Sequence, residues 1–352
     1  MKINGVHYRT VWMEKTVVKM INQAVLPHFF RIEEFKTHQE TARAITDMIV
    51  RGAGAIGATA GYGMAQVVLE APDTSAFLDA VAAGAQTLTR TRPTAQNLFY
   101  AIDRVSVAAK AARTVPEARA SAVQAAEQIA EEDLSSCASI GCHGASLLKD
   151  GARVLTHCNA GWLAFVDWGS ALAPVYTAVR EGKRVFVYAD ETRPWNQGSR
   201  LTSFELGNEG VSHAIVTDNA SGFLMQRGQV DIVIVGADRI AANGDVANKI
   251  GTYEKAVVAH ELGIPFYVAA PTSTIDRNCP NGDAIPIEER AEDEVLYCRG
   301  LLDSGEFGRV RLAPPGARAC NLAFDVTPAR YITGIITQKG VFAPGEILQA
   351  VS

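Results

Sequence analysis

Hydrophobic residues follow two different periodicities along the 352-residue chain, and the change falls near residue 150. Up to that point the spacing is mainly helical, as Ile45, Met48 and Ile49 illustrate on one predicted helical face. Short β-prone runs occupy the beginning of the chain, where Asn4-Gly5 marks a turn. The predicted helical segments span residues 37–69, 74–90, 96–113 and 116–149.

After Asp150, short runs rich in valine and isoleucine alternate with segments of helical length. Strands buried on both faces have this composition, so the pattern predicts an α/β fold with a parallel sheet. We place the domain boundary within the helix at 116–149, which gives domains of residues 1–125 and 126–352. The predicted strands are ARVLTHC (152–158), RVFVYA (184–189), HAIVTD (213–218), DIVIVGA (231–237), PFYVAA (265–270) and YITGIIT (331–337).

Composition and charge narrow the possible functions. The chain is 48% hydrophobic and 20% charged with a net charge of −5, so it lacks the basic surface of a nucleic-acid binder. The beginning of the chain has no apolar signal-peptide run, and no uncharged apolar stretch of about 18 residues predicts a membrane span. Six irregularly spaced cysteines are typical of reduced thiols. We therefore expect a cytoplasmic enzyme.

The segment RGAGAIG (51–57) matches the glycine pattern of dinucleotide-binding loops. That fingerprint requires a preceding strand, whereas the residues before these glycines, ETARAITDMIV, have helical spacing. A nicotinamide-dependent dehydrogenase is therefore disfavoured. Two interpretations stay open from the residues alone: an anion site at a helix start beside Arg51, or a close contact between two helices.

Polar residues follow the predicted strands at their carboxyl ends, where ligands bind in open parallel α/β sheets. Asp238 follows an apolar strand that should partly desolvate its carboxyl group. Desolvation raises a carboxyl pKa and would suit Asp238 to acid–base catalysis, whereas an ion pair with Arg239 or a helix cap is the alternative. The other polar strand-end residues are Cys158, Asn159, Asp190, Asp218, Asn248, Lys249 and Thr272.

Three of these positions have a specific electrostatic interpretation. Cys158 precedes a predicted helix start, whose dipole would lower the thiol pKa, although an inert buried cysteine is the alternative. Asn248 and Lys249 are predicted to begin a helix, where a lysine is unfavourable unless an anion lies nearby. We interpret His157 as structural rather than catalytic, and the cysteines lack the ligand spacing of a zinc site.

Seven segments form a specific pattern: RGAGAIG (51–57), RPTAQNL (92–98), THCNAG (156–161), DETRPWNQGSRLT (190–202), TDN (217–219), VGADRIAANGDVANKIGTY (235–253) and FYVAAPTSTID (266–276). Together they resemble the methylthioribose-1-phosphate isomerase family. The resemblance implies a small mixed α+β N-terminal domain followed by a Rossmann-like parallel-sheet C-terminal domain, usually in a homodimer, with no metal or nucleotide cofactor.

The resemblance also implies a reaction, in which 5-methylthioribose 1-phosphate, an aldose, becomes the ketose 5-methylthioribulose 1-phosphate within methionine salvage. It implies that Cys158 supplies the catalytic thiol and Asp238 the catalytic carboxylate. Our hypothesis is that protonated Asp238 opens the sugar ring, and that Cys158 assists hydrogen transfer from C2 to C1 as either a proton or a hydride. The implied phosphate and sugar contacts are Arg51, Gly52, Ala53, Arg92, Gln197, Asn248 and Lys249.

The chain departs from the family pattern at a few positions. Gly54 stands where the family commonly has proline, and we expect it to loosen the loop. Trp162 and Trp168 either pack a helix or face the pocket. These departures leave 5-deoxyribose 1-phosphate and ribose 1,5-bisphosphate, substrates of relatives, as alternative substrates. A noncatalytic binding role, as in regulatory subunits of the translation-initiation exchange factor, is the alternative class.

Overall fold

The computed structural model describes residues 1–92 and 95–351. Pro93 and Thr94 of the RPTAQNL segment lie outside the described residues, as does Ser352. Short strands begin the chain: one antiparallel pair, followed by an antiparallel sheet of three strands. These strands are β1 (Lys2–Ile3), β2 (Val6–His7), β3 (Val11–Glu14), β4 (Val17–Ile21) and β5 (Ile32–Phe35).

Helices follow these strands and build the core of the first half. The single helix predicted at 37–69 is in fact two helices, because the chain turns at Met48 (φ 60°) and Gly52 (φ 95°). The second of them is buried over most of its length, and its alanines and glycines allow neighbouring helices to pack closely around it. The helices are α1 (His38–Thr46), α2 (Ala53–Glu70), α3 (Phe77–Thr89), α4 (Gln96–Lys110) and α5 (Val115–Ala145).

The second half alternates strands and helices, as predicted. Its strands are β6 (Ala152–Thr156), β7 (Val185–Asp190), β8 (Ser212–Val216), β9 (Ile232–Val235), β10 (Arg239–Ala241), β11 (Val246–Lys249), β12 (Phe266–Ala269), β13 (Ile275–Asp276), β14 (Tyr297–Leu301), β15 (Phe307–Arg311), β16 (Phe324–Thr327), β17 (Gly334–Thr337) and β18 (Gly340–Phe342). Its helices are α6 (Ala173–Arg180), α7 (Ser203–Asn208), α8 (Ser221–Gln226), α9 (Thr252–Glu261) and α10 (Asp293–Leu296).

A seven-stranded sheet forms the centre of this half, in the order β18-β17-β12-β9-β6-β7-β8. Neighbouring strands run parallel, except that β18 is antiparallel to β17. All six predicted strands are present, and the α/β class is confirmed. On one side of β6 the sheet continues with β7 and then β8. On its other side it continues with β9, β12 and β17. The direction of strand order therefore changes between β6 and β9, where ligands bind in sheets of this type.

A smaller sheet has the strand order β13-β10-β11-β16. Its first two strands along the chain, β10 and β11, follow directly after β9. The prediction that Asn248 and Lys249 begin a helix is wrong, because both residues end strand β11 and pair with β16. The hairpin between β10 and β11 turns at Asn243-Gly244, where Gly244 has a φ of 86°. Helix α9 begins only at Thr252, after Gly251 with a φ of 98°.

Helix α5, 31 residues long, packs against α2 and α4 and also against α6 and β17. It therefore links the core of the first half to the large sheet of the second. Within the part of the chain that the structure describes, no helix combines the length and apolar character that a membrane span needs.

Candidate functional site

A cavity lies at the carboxyl ends of β6 and β9, the neighbouring strands at which the strand order changes direction. Cys158 closely follows β6 and Asp238 closely follows β9, so the topology itself brings these two side chains to one place. The structure gathers all nine residues expected from the resemblance in the lining of this cavity: Arg51, Gly52, Ala53, Arg92, Cys158, Gln197, Asp238, Asn248 and Lys249.

The start of α2 supplies backbone donors to the cavity wall. The glycines of RGAGAIG (51–57) are preceded by α1 and a turn, whereas a dinucleotide-binding loop would follow a strand. Gly52 caps α2 with a φ of 95°, and a Cβ there would lie 2.4 Å from the Cα of Ala164. The first-turn N–H groups of a helix have no partner within the helix, and α2 carries no acidic residue there. This end of α2 therefore favours an anion.

Arg51 is held in a defined orientation next to this helix start. Its Nη1 donates to Oδ1 of Asn159 at 2.6 Å, and its Nη2 donates to the carbonyl oxygen of Asn159 at 2.9 Å. Both hydrogen bonds tie the guanidinium of the first half to the segment that follows β6 in the second half. A fixed guanidinium suits recognition of a phosphate or carboxylate.

Lys249 and Arg92 add positive charge to the same cavity. The Lys249 Nζ donates to the Ala323 carbonyl at 3.0 Å and lies 4.8 Å from the centre of the Phe324 ring. The Arg92 Nε finds no hydrogen-bond partner among the described residues, so this buried donor is available to a ligand. Burial lowers the pKa of both cations, and the carboxyl group of Asp238 opposes that shift in each.

Asp238 is enclosed in this cationic surrounding. Desolvation raises the pKa of its carboxyl group, while Lys249, Arg51 and Arg92 act in the opposite direction. Desolvation dominates, so Asp238 holds a proton to a higher pH than an exposed aspartate does. The sequence-based expectation of a desolvated carboxyl group agrees with this environment.

Cys158 is buried and has an unusual backbone conformation, with a φ of 66°. Two threonine hydroxyls hold it: the Cys158 N–H donates to Thr192 Oγ1 at 2.8 Å, and Thr202 Oγ1 donates to its carbonyl at 2.7 Å. Left-handed non-glycine residues of this kind cluster at functional sites, where the surroundings enforce them.

The expectation that a helix dipole lowers the Cys158 pKa is wrong. Only a short 3₁₀ turn, Trp162–Ala164, follows Cys158, and α6 does not begin until Ala173. Burial raises the pKa of the Cys158 thiol, and Arg51 and Lys249 offset the rise only in part. The protonated thiol is therefore the resting form near neutral pH, and the thiolate is supported by cationic side chains rather than by a helix.

His157 also lines the cavity and belongs to a buried cluster of polar and charged side chains. Its Nδ1 contacts Asp190 Oδ2 at 2.9 Å and its Nε2 contacts the Ile250 carbonyl at 2.8 Å. Asp190, His157 and Asp218 have ligand atoms close enough together to hold a metal ion. However, Lys255 Nζ lies 3.4 Å from Asp190 Oδ2, and both His157 nitrogens already have partners. The geometry therefore fits a structural ion-pair cluster better than a cation site.

The residues that depart from the family pattern lie outside the cavity lining. Gly54 belongs to α2 rather than to a loop, and a Cβ there would lie 2.2 Å from Asp133 Oδ1 and 2.4 Å from Phe165 Cδ1. Glycine at this position thus allows close packing, which differs from the loosened loop we expected. Trp162 is fully buried, and Trp168 packs under Arg180 at 4.4 Å, so both tryptophans act in packing.

Sequence reasoning missed several further residues of the cavity lining. Some of them lie in segments 282–290 and 322–324, which have no recognisable motif and reach the cavity only through the smaller sheet. Ser170 is a further example, and its hydroxyl is buried without a hydrogen-bond partner among the described residues. The missed lining residues include Met48, Ser170, Trp195, Ile285, Pro286, Arg290 and Phe324, whereas Asn159 belongs to the predicted strand-end residues.

Comparisons with known proteins agree with this geometry. A model of the initiation factor 2 subunit family matches residues 49–344. The chain is 50% identical to a methylthioribose-1-phosphate isomerase of Methylocella silvestris, in an alignment that covers 97% of this chain and 95% of that protein.

Two solved structures are similar over nearly the whole chain. The crystal structure of 5-methylthioribose 1-phosphate isomerase from Pyrococcus horikoshii OT3 superposes with a TM-score of 0.86 at 43% identity, covering 97% of this chain and 95% of that one. The structure of the translation initiation factor eIF-2B subunit delta from A. fulgidus has a TM-score of 0.84 at 42% identity, covering 97% and 98%.

Proposed function

Because the chain belongs to the initiation factor 2 subunit family and, within it, to the methylthioribose-1-phosphate isomerases, we propose that it converts 5-methylthioribose 1-phosphate into 5-methylthioribulose 1-phosphate. Cys158 and Asp238 support this function most directly, because they line one cavity together with three cationic side chains. In the cell the reaction belongs to methionine salvage. It takes place in the cytoplasm, and the enzyme acts as a homodimer.

The substrate phosphate binds where positive charge and free backbone donors coincide. Arg51 and the first-turn N–H groups of α2, including that of Ala53, contact the phosphate oxygens, and Arg92 and Lys249 neutralise the remaining charge. Gln197 and Asn248 contact the sugar hydroxyls; the Gln197 Oε1 is buried and has no partner among the described residues. Holding the phosphate fixes C1 and C2 relative to the two catalytic side chains.

Asp238 acts as the acid that opens the ring. Its proton passes to the ring oxygen while the bond between C1 and that oxygen breaks, leaving a free 4-hydroxyl group and an electron-deficient C1. The raised pKa of Asp238 keeps this proton bound to a higher pH than in an exposed aspartate. The cations around Asp238 then stabilise the carboxylate that forms.

Cys158 acts as the base in the second step. In a hydride route, the C2 hydrogen moves with its electron pair to C1 while the 2-hydroxyl proton passes to the Cys158 thiolate, which leaves a ketone at C2. In an enolate route, the thiolate removes the C2 proton and an enol forms across C1 and C2; the resulting thiol then returns this proton to C1 while the 2-hydroxyl proton passes to the Asp238 carboxylate, which leaves a ketone at C2. Both routes need the thiolate, so the resting thiol must first lose its proton, and Arg51 and Lys249 offset part of the cost of that ionisation.

The lining of the cavity favours an apolar 5-substituent. Met48, Ile285 and Phe324 line it together with the polar residues. Burying a methylthio group against these side chains is favourable, whereas a second phosphate would lose hydration there. We therefore rank 5-methylthioribose 1-phosphate above 5-deoxyribose 1-phosphate, and ribose 1,5-bisphosphate last.

The direct test measures kcat/KM of the purified protein for these three sugar phosphates, with Cys158→Ala and Asp238→Asn run beside the wild type. We expect the highest kcat/KM for the methylthio sugar, and loss of turnover in both variants. A higher kcat/KM for one of the other two sugars would support the isomerase reaction and would reassign the preferred substrate. A noncatalytic binding role, in line with the A. fulgidus initiation-factor subunit, predicts turnover of none of the three.

A further inference from the structure

Glu205 is a carboxylate without any solvent exposure, and it lies behind the cavity wall rather than in it. A buried charge is costly unless its hydrogen bonds are complete. Four donors converge on it, two at each oxygen. Oε1 accepts from Asn159 Nδ2 at 2.8 Å and from the Leu163 N–H at 3.0 Å, whereas Oε2 accepts from the Trp162 N–H at 2.8 Å and the Tyr176 hydroxyl at 2.9 Å.

These bonds fix the segment that follows β6. Glu205 binds the side chain of Asn159 and two backbone N–H groups, those of Trp162 and Leu163. The packing between them is tight, since a Cβ on Gly161 would lie 1.8 Å from Glu205 Oε2. The carboxylate thus fills the space beside Gly161 and accepts the hydrogen bonds that the N–H groups of this segment donate.

The amide of Asn159 connects Glu205 to Arg51. Its Nδ2 donates to Glu205, so its Oδ1 must face the opposite side, where it accepts from Arg51 Nη1 at 2.6 Å. The Asn159 carbonyl, which belongs to the same fixed segment, accepts from Arg51 Nη2 at 2.9 Å. Both acceptors that orient the guanidinium therefore depend on Glu205.

We propose that Glu205 is a positioning residue that, through Asn159, holds Arg51 in the orientation needed to bind the substrate phosphate. The inference rests on the proposed function for the identity of the substrate, but the anion-binding part can be measured with inorganic phosphate alone. Glu205 itself contacts no reacting atom.

Glu205→Gln, assayed at pH 8 where the wild-type carboxyl group is ionised, is the informative variant because it keeps the volume and removes the charge. An amide has one acceptor oxygen, so in either orientation its NH₂ group faces a backbone N–H of the segment after β6, that of Leu163 or that of Trp162, and the segment that carries Asn159 is loosened. We expect KM and the inhibition constant of inorganic phosphate to rise about tenfold to hundredfold, the loss expected for a misaligned charge-assisted contact. The Cys158 carbonyl has its own donor in Thr202, so kcat should fall less than about threefold.

Two further variants distinguish a specific effect of Glu205 on the orientation of Arg51 from a general loss of stability. Tyr176→Phe removes one donor from Oε2, the oxygen that does not bind Asn159, and should lower the melting temperature while KM stays within about twofold. Asn159→Leu removes the link itself, and the double variant with Glu205→Gln should raise KM no further than Asn159→Leu alone. An unchanged KM in Glu205→Gln, an equal rise in Tyr176→Phe, or multiplying effects in the double variant would each overturn the assignment.

Inorganic phosphate binding, measured by titration calorimetry, keeps the two proposals distinguishable. If the wild type failed to isomerise 5-methylthioribose 1-phosphate, the proposed function would fail. The dissociation constants of phosphate for wild type and Glu205→Gln would still test the positioning role. Equal dissociation constants would refute that role even in an active enzyme.

Discussion

Glu205 should make the stability of the protein depend on pH in a way that one substitution removes. Burial raises the pKa of its carboxyl group to about 7, from an ordinary value of 4.5, even though four hydrogen bonds favour the ionised form. Between these two pH values the folded state binds a proton that the unfolded state has released. The stabilisation is therefore complete below about pH 4.5 and is lost as the pH rises through about 7.

The size of the effect follows from the shift. One pKa unit corresponds to about 1.4 kcal/mol, so this carboxyl group should lower the free energy of unfolding by about 2–3 kcal/mol between pH 5 and pH 8. Glu205→Gln has no group to titrate. At pH 5, where the wild-type carboxyl group is itself protonated, the variant should be the less stable protein, because its NH₂ group brings two N–H donors to a site where the acid brings one O–H. The difference should shrink by about 2–3 kcal/mol at pH 8, where the wild-type group must ionise in the folded protein.

Urea unfolding at fixed protein concentration, repeated from pH 5 to pH 8, measures this difference directly. The other titrating groups are common to both proteins, so the difference between the two curves isolates Glu205. Tyr176→Phe keeps the carboxylate but removes a bond that favours its ionised form, so its pKa should rise further and its curve should be steeper at alkaline pH. A difference between wild type and Glu205→Gln that does not change with pH would refute the reasoning, since the hydrogen bonds would then fully compensate for burial.

Three further predictions concern the cavity. Asp238→Asn and Cys158→Ala should each reduce kcat at least about hundredfold, with circular dichroism spectra like the wild type; retained activity would remove that residue from the mechanism. Gly52→Ala should weaken phosphate binding and lower the melting temperature, because its Cβ would lie 2.4 Å from the Ala164 Cα at a φ of 95°; an unchanged melting temperature would contradict the close packing. Lys249→Met should raise the dissociation constant of inorganic phosphate about tenfold or more, and an unchanged constant would place the phosphate elsewhere.

The sequence was sufficient for the features that depend on local pattern. Valine- and isoleucine-rich runs identified every parallel strand of the large sheet, and the rule for carboxyl ends pointed to Cys158 and Asp238 before any coordinates. The helical spacing before RGAGAIG is visible in the sequence and argues against a dinucleotide motif, and helix α1 does precede this segment.

Features that depend on long-range pairing could not be predicted in this way. The local sequence predicted a helix start at Asn248 and Lys249. Their strand partner, β16, lies about 75 residues further along the chain, so no local pattern indicates the pairing. The turn signal Asn243-Gly244 could have suggested the hairpin. The role of Glu205 was invisible for a similar reason, since its partners Asn159 and Tyr176 approach it only in the folded chain.

The most direct test of the central proposal is phosphorus NMR of the purified protein with 5-methylthioribose 1-phosphate as the sole substrate and no added cofactor. We predict that the resonance of the aldose 1-phosphate is replaced by that of a ketose 1-phosphate, and that an Asp238→Asn sample under the same conditions shows no conversion. An unchanged spectrum with the wild type, or equal conversion by Asp238→Asn, would contradict the account of this cavity as an aldose–ketose isomerase site.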